Sequence, residues 1–211
     1  MSRLFDLPLF PLSMVIYPDQ QAALHIFEPR YQEMVQDCLE HEMPFGLILY
    51  EDGKMAEVGC TAVIQEVVQD YGDGRLDIVV EGDERFRVDD LRQEKAYLTA
   101  DVQTVDDADG DAEDGLTQRV ITQHMRLLEL AGRTVRPGLY SEVPSVSFVI
   151  AHNAGLTLPQ KQEVLELRAE DERILYLVKH LETLIPRVEE IESVREKITS
   201  NGHFPDFPLG E

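Results

Sequence analysis

A ten-residue acidic run divides this chain into two parts whose apolar residues follow different periods. The run, DDADGDAEDG at residues 106–115, contains six acidic residues and no basic residue. Before it, short apolar stretches are bounded by turn residues, as in β-strands, whereas after it apolar residues recur every three or four positions, as on helices. Because like charges repel one another and the run has little to bury, we predict a linker at residues 106–115.

The two periods predict an α+β protein with a β-rich part at residues 1–105, a helical part at residues 116–200 and an irregular tail at residues 201–211. Many short strands separated by turn residues indicate a twisted sheet or a small barrel in the first part. The strand predictions cover residues 7–12, 15–18, 22–27, 45–50, 85–91 and 97–105, with a hairpin at residues 61–82 around an Asp-Gly turn.

The helical part is predicted to end in a long helix from about residue 171 to residue 199. Pro186 should kink this helix, because proline removes a backbone donor and crowds the preceding turn. Its apolar stripe could pair with a second copy, but burial against the other helices is favoured. The stripe consists of Ile174, Leu177, Leu181, Leu184, Val188 and Ile191. The other predicted helices cover residues 29–41, 116–132, 144–155 and 159–167.

The stretch HIFEPRY at residues 25–31 permits two interpretations. Glu28 and Arg30 could be a catalytic acid–base pair, or the stretch could be the point where a strand gives way to a helix. The second interpretation is favoured, because Pro29 suits the first helical position and Glu28 then lies at the positive end of the helix dipole. We therefore interpret His25, Glu28, Pro29 and Arg30 as a structural signature.

The sequence lacks the local motifs of the common catalytic sites. It has no P-loop, no dinucleotide-binding glycine motif, no serine-hydrolase elbow and no zinc-protease histidine pair. Cys38 and Cys60 have acidic or apolar neighbours, which disfavour a reactive thiolate, so both are expected to be reduced core residues. The acidic run lacks the first and last ligands of a calcium loop. We therefore expect no cofactor, no bound metal and no catalytic activity.

The charge of the chain limits its partners. It has 19 basic and 41 acidic residues, for a net charge of −22, which repels phosphate backbones and anionic lipids. No nucleic-acid or membrane partner is therefore expected. Residues 1–6 do not resemble a signal peptide, and no stretch approaches the roughly 18 apolar residues of a membrane span, so we expect a cytoplasmic location.

The stretch EGDERFR at residues 81–87 also permits two interpretations. Arg85 and Arg87 could form cross-strand ion pairs on a solvated face, or the charges could surround Phe86 in a recognition patch. The ion-pair interpretation is favoured, because such surface pairs are common.

Several motifs of the sequence resemble those of a known protein family. The stretch LPLFPLSMVIYPDQQAALHIFEPRYQEMVQDCLE at residues 7–40 is similar to the start of the substrate-binding, N-terminal domain of Lon proteases and its stand-alone relatives. PFGLIL, GCTAVIQEV, GRLDIVVEGDERFRV, YLTADV and LPQKQEVLEL continue the resemblance to about residue 185. There are two departures: Asp19 stands where relatives often carry glycine, and Asp83 and Glu84 make their segment more acidic.

The resemblance implies a PUA-like pseudo-barrel followed by a helical bundle, without the ATPase and peptidase modules of Lon. We therefore expect a non-catalytic module that recognises a polypeptide or protein client and exists as a monomer or weak homodimer. The candidate contacts are the exposed members of a set of five residues: Phe27, Tyr31, Tyr50, Arg85 and Phe86. Two alternatives are a hydrolase with a dispersed site that uses Glu28 or a histidine, and an assembly protein that pairs through its last helix.

Overall fold

The computed structural model describes residues 2–108, 114–134, 137–141 and 143–201. The predicted linker therefore lies partly outside the described residues, and the predicted tail at 201–211 lies almost entirely outside them. The elements of the first part are β1 (Arg3–Leu12), β2 (Gln21–Ile26), α1 (Pro29–Glu40), β3 (Phe45–Glu51), β4 (Lys54–Met55), β5 (Val58–Asp70), β6 (Leu76–Arg92) and β7 (Leu98–Thr104).

Five of these strands form a closed ring. β1 pairs in parallel with β3 and antiparallel with β7, and the antiparallel pairs β7–β6, β6–β5 and β5–β3 complete the circuit. β2 pairs with the N-terminal part of β6, from Leu76 to Glu81, and the short β4 pairs with the end of β3. Closure removes the free edges that an open sheet of these strands would expose.

The predicted hairpin at residues 61–82 and the predicted strand at residues 85–91 are not separate elements. The second strand of the hairpin continues through residue 82 without a break, so that β6 is a single strand of 17 residues. At Gly82 it passes so close to the β1–β2 loop that an added Cβ would lie 2.2 Å from the Tyr17 carbonyl oxygen. Residues 15–18 are not a strand, because Val15, Ile16 and Tyr17 enter the core from that loop.

The HIFEPRY stretch is the joint between β2 and α1, as predicted. Ile26 ends the strand, Glu28 is the N-cap and Pro29 opens the helix. The carbonyl of Glu28 accepts hydrogen bonds from the backbone N–H groups of Tyr31 and Gln32, at 2.9 and 3.0 Å. Its carboxylate does not cap the helix and instead accepts a bond from Arg30 at 2.9 Å.

The helices of the second part are α2 (Asp114–Leu130), α3 (Val146–Asn153), α4 (Leu158–Glu166) and α5 (Glu170–Asn201), with a 3₁₀ turn at Pro137–Tyr140. α5 continues through Pro186. Ile174, Leu177 and Leu181 are buried in the core that α5 shares with α2, α3 and α4, as the burial interpretation predicts. The end of the stripe differs, since Ile191 remains 65% exposed.

The two parts share an apolar cluster. Val15, Tyr17, Leu49 and Val58 from the β-rich part lie in the same cluster as the buried residues of the helices. The Tyr17 ring stacks on Phe148 with centroids 5.2 Å apart, and its hydroxyl donates to the Lys161 carbonyl at 3.1 Å. The helices therefore pack on the β-rich part through this cluster, in addition to packing on one another.

Candidate functional site

A groove opens where the start of α1, the β3–β4 turn and the β6–β7 connection meet, and it has a volume of about 480 Å³. We call it the Tyr50 groove. Its lining includes Arg30, Tyr31 and Tyr50, which come from the segments that the sequence analysis singled out, together with the apolar Met55 and Leu91. The groove thus brings together two of the five candidate contact residues, Tyr31 and Tyr50.

Tyr50 owes its position to the tight turn between β3 and β4. Asp52 and Gly53 have φ angles of +51° and +75°, so the chain reverses in two residues and places Met55 directly opposite Tyr50. The Tyr50 side chain is 46% exposed, and its hydroxyl makes no hydrogen bond within the described part of the chain. It can therefore contact a ligand with both its ring and its hydroxyl.

Arg30 and Tyr31 form the wall that α1 contributes. The Arg30 guanidinium lies 4.5 Å from the centroid of the Tyr31 ring and pairs with the Glu28 carboxylate at 2.7 Å. Tyr31 packs its ring on Phe10 at a centroid distance of 4.2 Å and is nearly buried, which raises the pKa of its hydroxyl. Tyr31 is therefore a core residue with only an edge in the groove, and not one of the exposed contacts.

A polar cluster fixes the opposite wall. The Tyr97 hydroxyl donates to Asp37 at 2.5 Å, and the Lys95 ammonium donates to Asp37 at 2.7 Å and to Tyr97 at 2.8 Å. The bonds from Lys95 and Tyr97 hold the pKa of Asp37 below its usual value. Because Asp37 lies on α1, the cluster ties the β6–β7 connection to the helix beside the groove.

Sequence reasoning missed Met55 and Leu91 as members of the groove. Leu91 is 44% exposed near the end of β6, and Met55 lies on the two-residue strand β4. Neither residue belongs to a motif. The alternation at residues 85–91 was the only available signal, and it could not show that the end of β6 reaches the β3–β4 turn.

Phe27 lies outside this groove, on what we call the aromatic patch, formed by His25, Phe27 and Tyr71. The rings of His25 and Phe27 stack at 5.9 Å, and the Tyr71 ring meets His25 edge-on at the same distance. Asp77 accepts hydrogen bonds from His25 and Tyr71, which hold its pKa below the usual value. Phe27 is 60% exposed, so it remains a candidate contact on a separate surface.

Arg85 and Phe86 are not surface contacts, and both interpretations of residues 81–87 were wrong for them. Phe86 fills the strand ring with no exposed surface, and Arg85 is buried beneath the helices. Arg85 donates to the carbonyls of Leu165 and Leu167, at 2.9 and 2.7 Å, and pairs with Asp107. The ion-pair interpretation holds for Arg87 alone, which meets Glu57 at 3.1 Å on the exposed face.

The two cysteines lie in the core of the β-rich part, as predicted. Burial raises the pKa of both thiols, Cys38 and Cys60, to about 12, which disfavours the reactive thiolate form. In the described ranges no three or more side chains of His, Cys, Asp or Glu come together as metal ligands. Among the described helices, none combines the length and apolar character needed to cross a membrane.

A strand ring joined through a shared core to a helical bundle defines a class of solved domains. A crystal structure of a Lon N-terminal domain protein from Xanthomonas campestris is 25% identical, with a TM-score of 0.66 over 85% of this chain and 98% of that one. The N-terminal domain of a Mycobacterium avium complex Lon protease has the same fold, with a TM-score of 0.59 and 17% identity over 84% of this chain and 98% of that one.

The sequence comparison specifies the family. The profile of the ATP-dependent protease La (LON) substrate-binding domain matches residues 6–183, and the chain belongs to this family. The Lon protease of Escherichia coli strain K12 is 22% identical over 93% of this chain, and Lon protease 1 of Hydrogenovibrio crunogenus is 20% identical over 88%. The chain spans about a quarter of the length of these relatives, 27% and 24% respectively.

Proposed function

We propose that the chain is a non-catalytic recognition module that binds an extended, partly apolar polypeptide segment in the Tyr50 groove. The observation that carries this proposal is the exposed Tyr50 side chain beside the apolar Met55 and Leu91, in a groove where the Asp37 cluster ties the β6–β7 connection to α1. Membership of a substrate-binding domain family supports a polypeptide as the ligand. The closed ring of strands supports a PUA-like barrel as its scaffold.

The chemistry of the groove suits a polypeptide backbone with an apolar side chain. Met55, Leu91 and the Tyr50 ring offer apolar contact, while the Tyr50 hydroxyl can donate to a peptide carbonyl. Because the Asp37 cluster holds Tyr97 in place before binding, this side of the groove loses little conformational freedom when a ligand binds, which favours affinity.

The test is a fluorescence anisotropy titration of a labelled, permanently unfolded polypeptide with the purified protein in the absence of ATP. We expect a saturable rise, and we expect Tyr50→Ala to weaken binding about tenfold, the effect of losing roughly 1.4 kcal/mol at a central aromatic contact. The comparison variant on the other surface is Tyr71→Ala, since Tyr71 is 45% exposed on the aromatic patch, although its hydroxyl, unlike that of Tyr50, donates to Asp77 at 2.8 Å.

Two results would contradict the proposal. A flat titration at high protein concentration would exclude generic polypeptide binding. A loss of binding in Tyr71→Ala or Phe27→Ala, with Tyr50→Ala unchanged, would move the contact from the groove to the aromatic patch.

A further inference from the structure

A second groove, which we call the α5 groove, runs beside the first half of α5 and has a volume of about 690 Å³. It lies between α5 and the segment that connects α3 to α4, including Gly155 and Thr157. Tyr176, Lys179, Thr183 and Arg187 line it from one side of α5. Residues three, four, seven and eight positions apart lie on one face of a helix, so these side chains form a continuous strip.

The strip carries cations without carboxylate partners in a strongly acidic molecule. Neither Lys179 nor Arg187 forms an ion pair with any residue in the described ranges, although Arg30, Arg75, Arg87 and Arg92 are all paired. Two neighbouring acids on α5 are engaged on its other face, where Glu182 pairs with Arg119 and Glu189 pairs with Arg126. Lys179 and Arg187 are therefore available to an external anion.

The other residues of the groove are apolar or satisfied. Leu175 is 42% exposed, and Leu184 is partly buried in the lining. The His180 ring is engaged at both nitrogens, by the Ala154 carbonyl at 3.0 Å and by Gln160 at 3.4 Å. Glu172 lies at the N-terminal end of the strip, and Glu163 adds a second carboxylate beside it, where it accepts a hydrogen bond from the Tyr176 hydroxyl at 2.6 Å.

Exposed apolar side chains extend the strip toward the end of α5. Ile191 and Val194 are 65% and 50% exposed, and they follow Arg187 at positions i+4 and i+7 on the same face. The face thus presents apolar residues on both sides of a cation, over several turns of the helix. That length suits another helix better than a small anion.

We propose that the α5 groove binds an acidic amphipathic helix of a partner protein. Lys179 and Arg187 are eight residues apart and therefore about 12 Å apart along the axis, which matches two carboxylates about two turns apart on the partner helix. Leucine-like side chains between and beyond those carboxylates would cover Leu175, Leu184 and Ile191. A second copy of α5 suits the face less well, because it would bring its own Lys179 and Arg187 toward these cations.

The test uses a labelled helical peptide with two glutamates about two turns apart and leucines between and beyond them on the same face. Two matched peptides replace the glutamates by glutamine or the leucines by alanine. We expect saturable binding of the first peptide, at least tenfold weaker binding of each matched peptide, and weakening with added salt. Lys179→Glu and Arg187→Glu should each weaken binding at least tenfold, whereas Arg3→Glu, the same charge change at an exposed residue on β1, should not.

The controls distinguish the α5 groove from the Tyr50 groove, from general attraction of anions and from self-association. Tyr50→Ala should leave the peptide's affinity unchanged, because the proposal does not rest on the Tyr50 groove. Lys179→Gln and Arg187→Gln provide milder variants if charge reversal lowers stability. If the alanine peptide and inorganic polyphosphate both bind as tightly as the first peptide, the groove attracts any anion and the proposal is overturned. A concentration-dependent dimer in sedimentation that excludes the peptide would assign the face to a second copy instead.

Discussion

Phe86 illustrates how single residues close the strand ring. Its ring fits between two glycines on neighbouring strands, because a Cβ added at Gly46 or Gly59 would lie 2.7 or 2.5 Å from the Phe86 Cζ atom. Distances this short leave no room for a side chain at either position. The aromatic ring and the two glycines therefore act as one packing unit, which explains why the pattern EGDERFR contains a large apolar residue among charges.

At this scale we expect Phe86→Ala to lower the free energy of unfolding by about 3–5 kcal/mol, because it leaves a cavity inside a closed ring. Urea denaturation followed by circular dichroism measures the change. Phe27→Ala is the matched control, since Phe27 is exposed and its truncation should change stability by less than about 0.5 kcal/mol. A loss below about 1 kcal/mol for Phe86→Ala would contradict the packing argument.

Individual residues were predictable from the sequence where one local rule decided their position. Pro29 and Glu28 were placed correctly because helix-start chemistry depends only on neighbours in the chain. Arg85 and Phe86 were misplaced because alternation along a strand shows two faces but not which face is covered. In this fold helices cover one face of β6 near Arg85 and the ring encloses the other, so both residues are buried.

Helix α2 contains a buried titratable group that links it to the 3₁₀ turn. His124 has no exposed surface, and its Nδ1 atom lies 2.8 Å from the Tyr140 hydroxyl. Its Nε2 atom has no hydrogen-bond partner among the residues that the structure describes. Burial lowers the pKa of His124 from 6.5 to about 4, because the charged ring would lose its hydration.

The protein should therefore lose stability when the pH is lowered mildly. Between pH 6.5 and about 4 the unfolded chain binds a proton at His124 that the folded chain does not, so stability falls as the pH falls through this window. We expect a loss of about 1–2 kcal/mol between pH 7 and pH 5, since each pKa unit corresponds to about 1.4 kcal/mol. In His124→Gln, thermal denaturation should show a smaller loss over the same range, and an unchanged loss would exclude His124 as the source.

At the scale of the whole molecule, a buried cluster of arginines connects the strands, the helices and the segment between them. Arg173 has no exposed side-chain surface and donates to Asp107 at 2.6 Å and to Glu170 at 2.7 Å. Arg85, from β6, meets the same Asp107. The guanidinium groups of Arg173 and Arg85 also lie over the Phe148 ring, at 4.4 and 5.6 Å from its centroid. Asp107 thus contacts both parts of the molecule.

Removal of Asp107 should weaken the association of the two parts. Asp107→Ala leaves two buried guanidinium groups with fewer carboxylate partners. We expect the free energy of unfolding to fall by about 2–3 kcal/mol. This is less than the roughly 3–5 kcal/mol expected for a fully buried pair, because Asp107 is half exposed. Asp73→Ala removes a carboxylate from a solvated pair with Arg75 and should cause little change. Chemical denaturation of the two variants compares them, and equal stabilities would show that the Asp107 contact is dispensable.

The sequence predicted the change from strands to helices at residues 106–115, but not what Asp107 does there. A run of acids with no base nearby in the chain indicates a solvated segment. The partners of Asp107 are 22 and 66 residues away, and only the folded chain brings them together. The Tyr50 groove has the same origin, since α1, β4 and β6 meet there only after the ring closes.

The closed ring also sets an order of events during synthesis. Arg3 on the first strand pairs with Gln103 on the last, and the Ser2 backbone N–H donates to the Thr104 hydroxyl at 2.8 Å. A growing chain on the ribosome therefore carries β1 without its β7 partner until residue 104 has emerged. Contacts between residues so distant in the chain form slowly. The ribosome-bound chain should thus leave one edge of β1 unpaired for the time that residues 13–104 take to emerge, even after β3 has paired with the other edge.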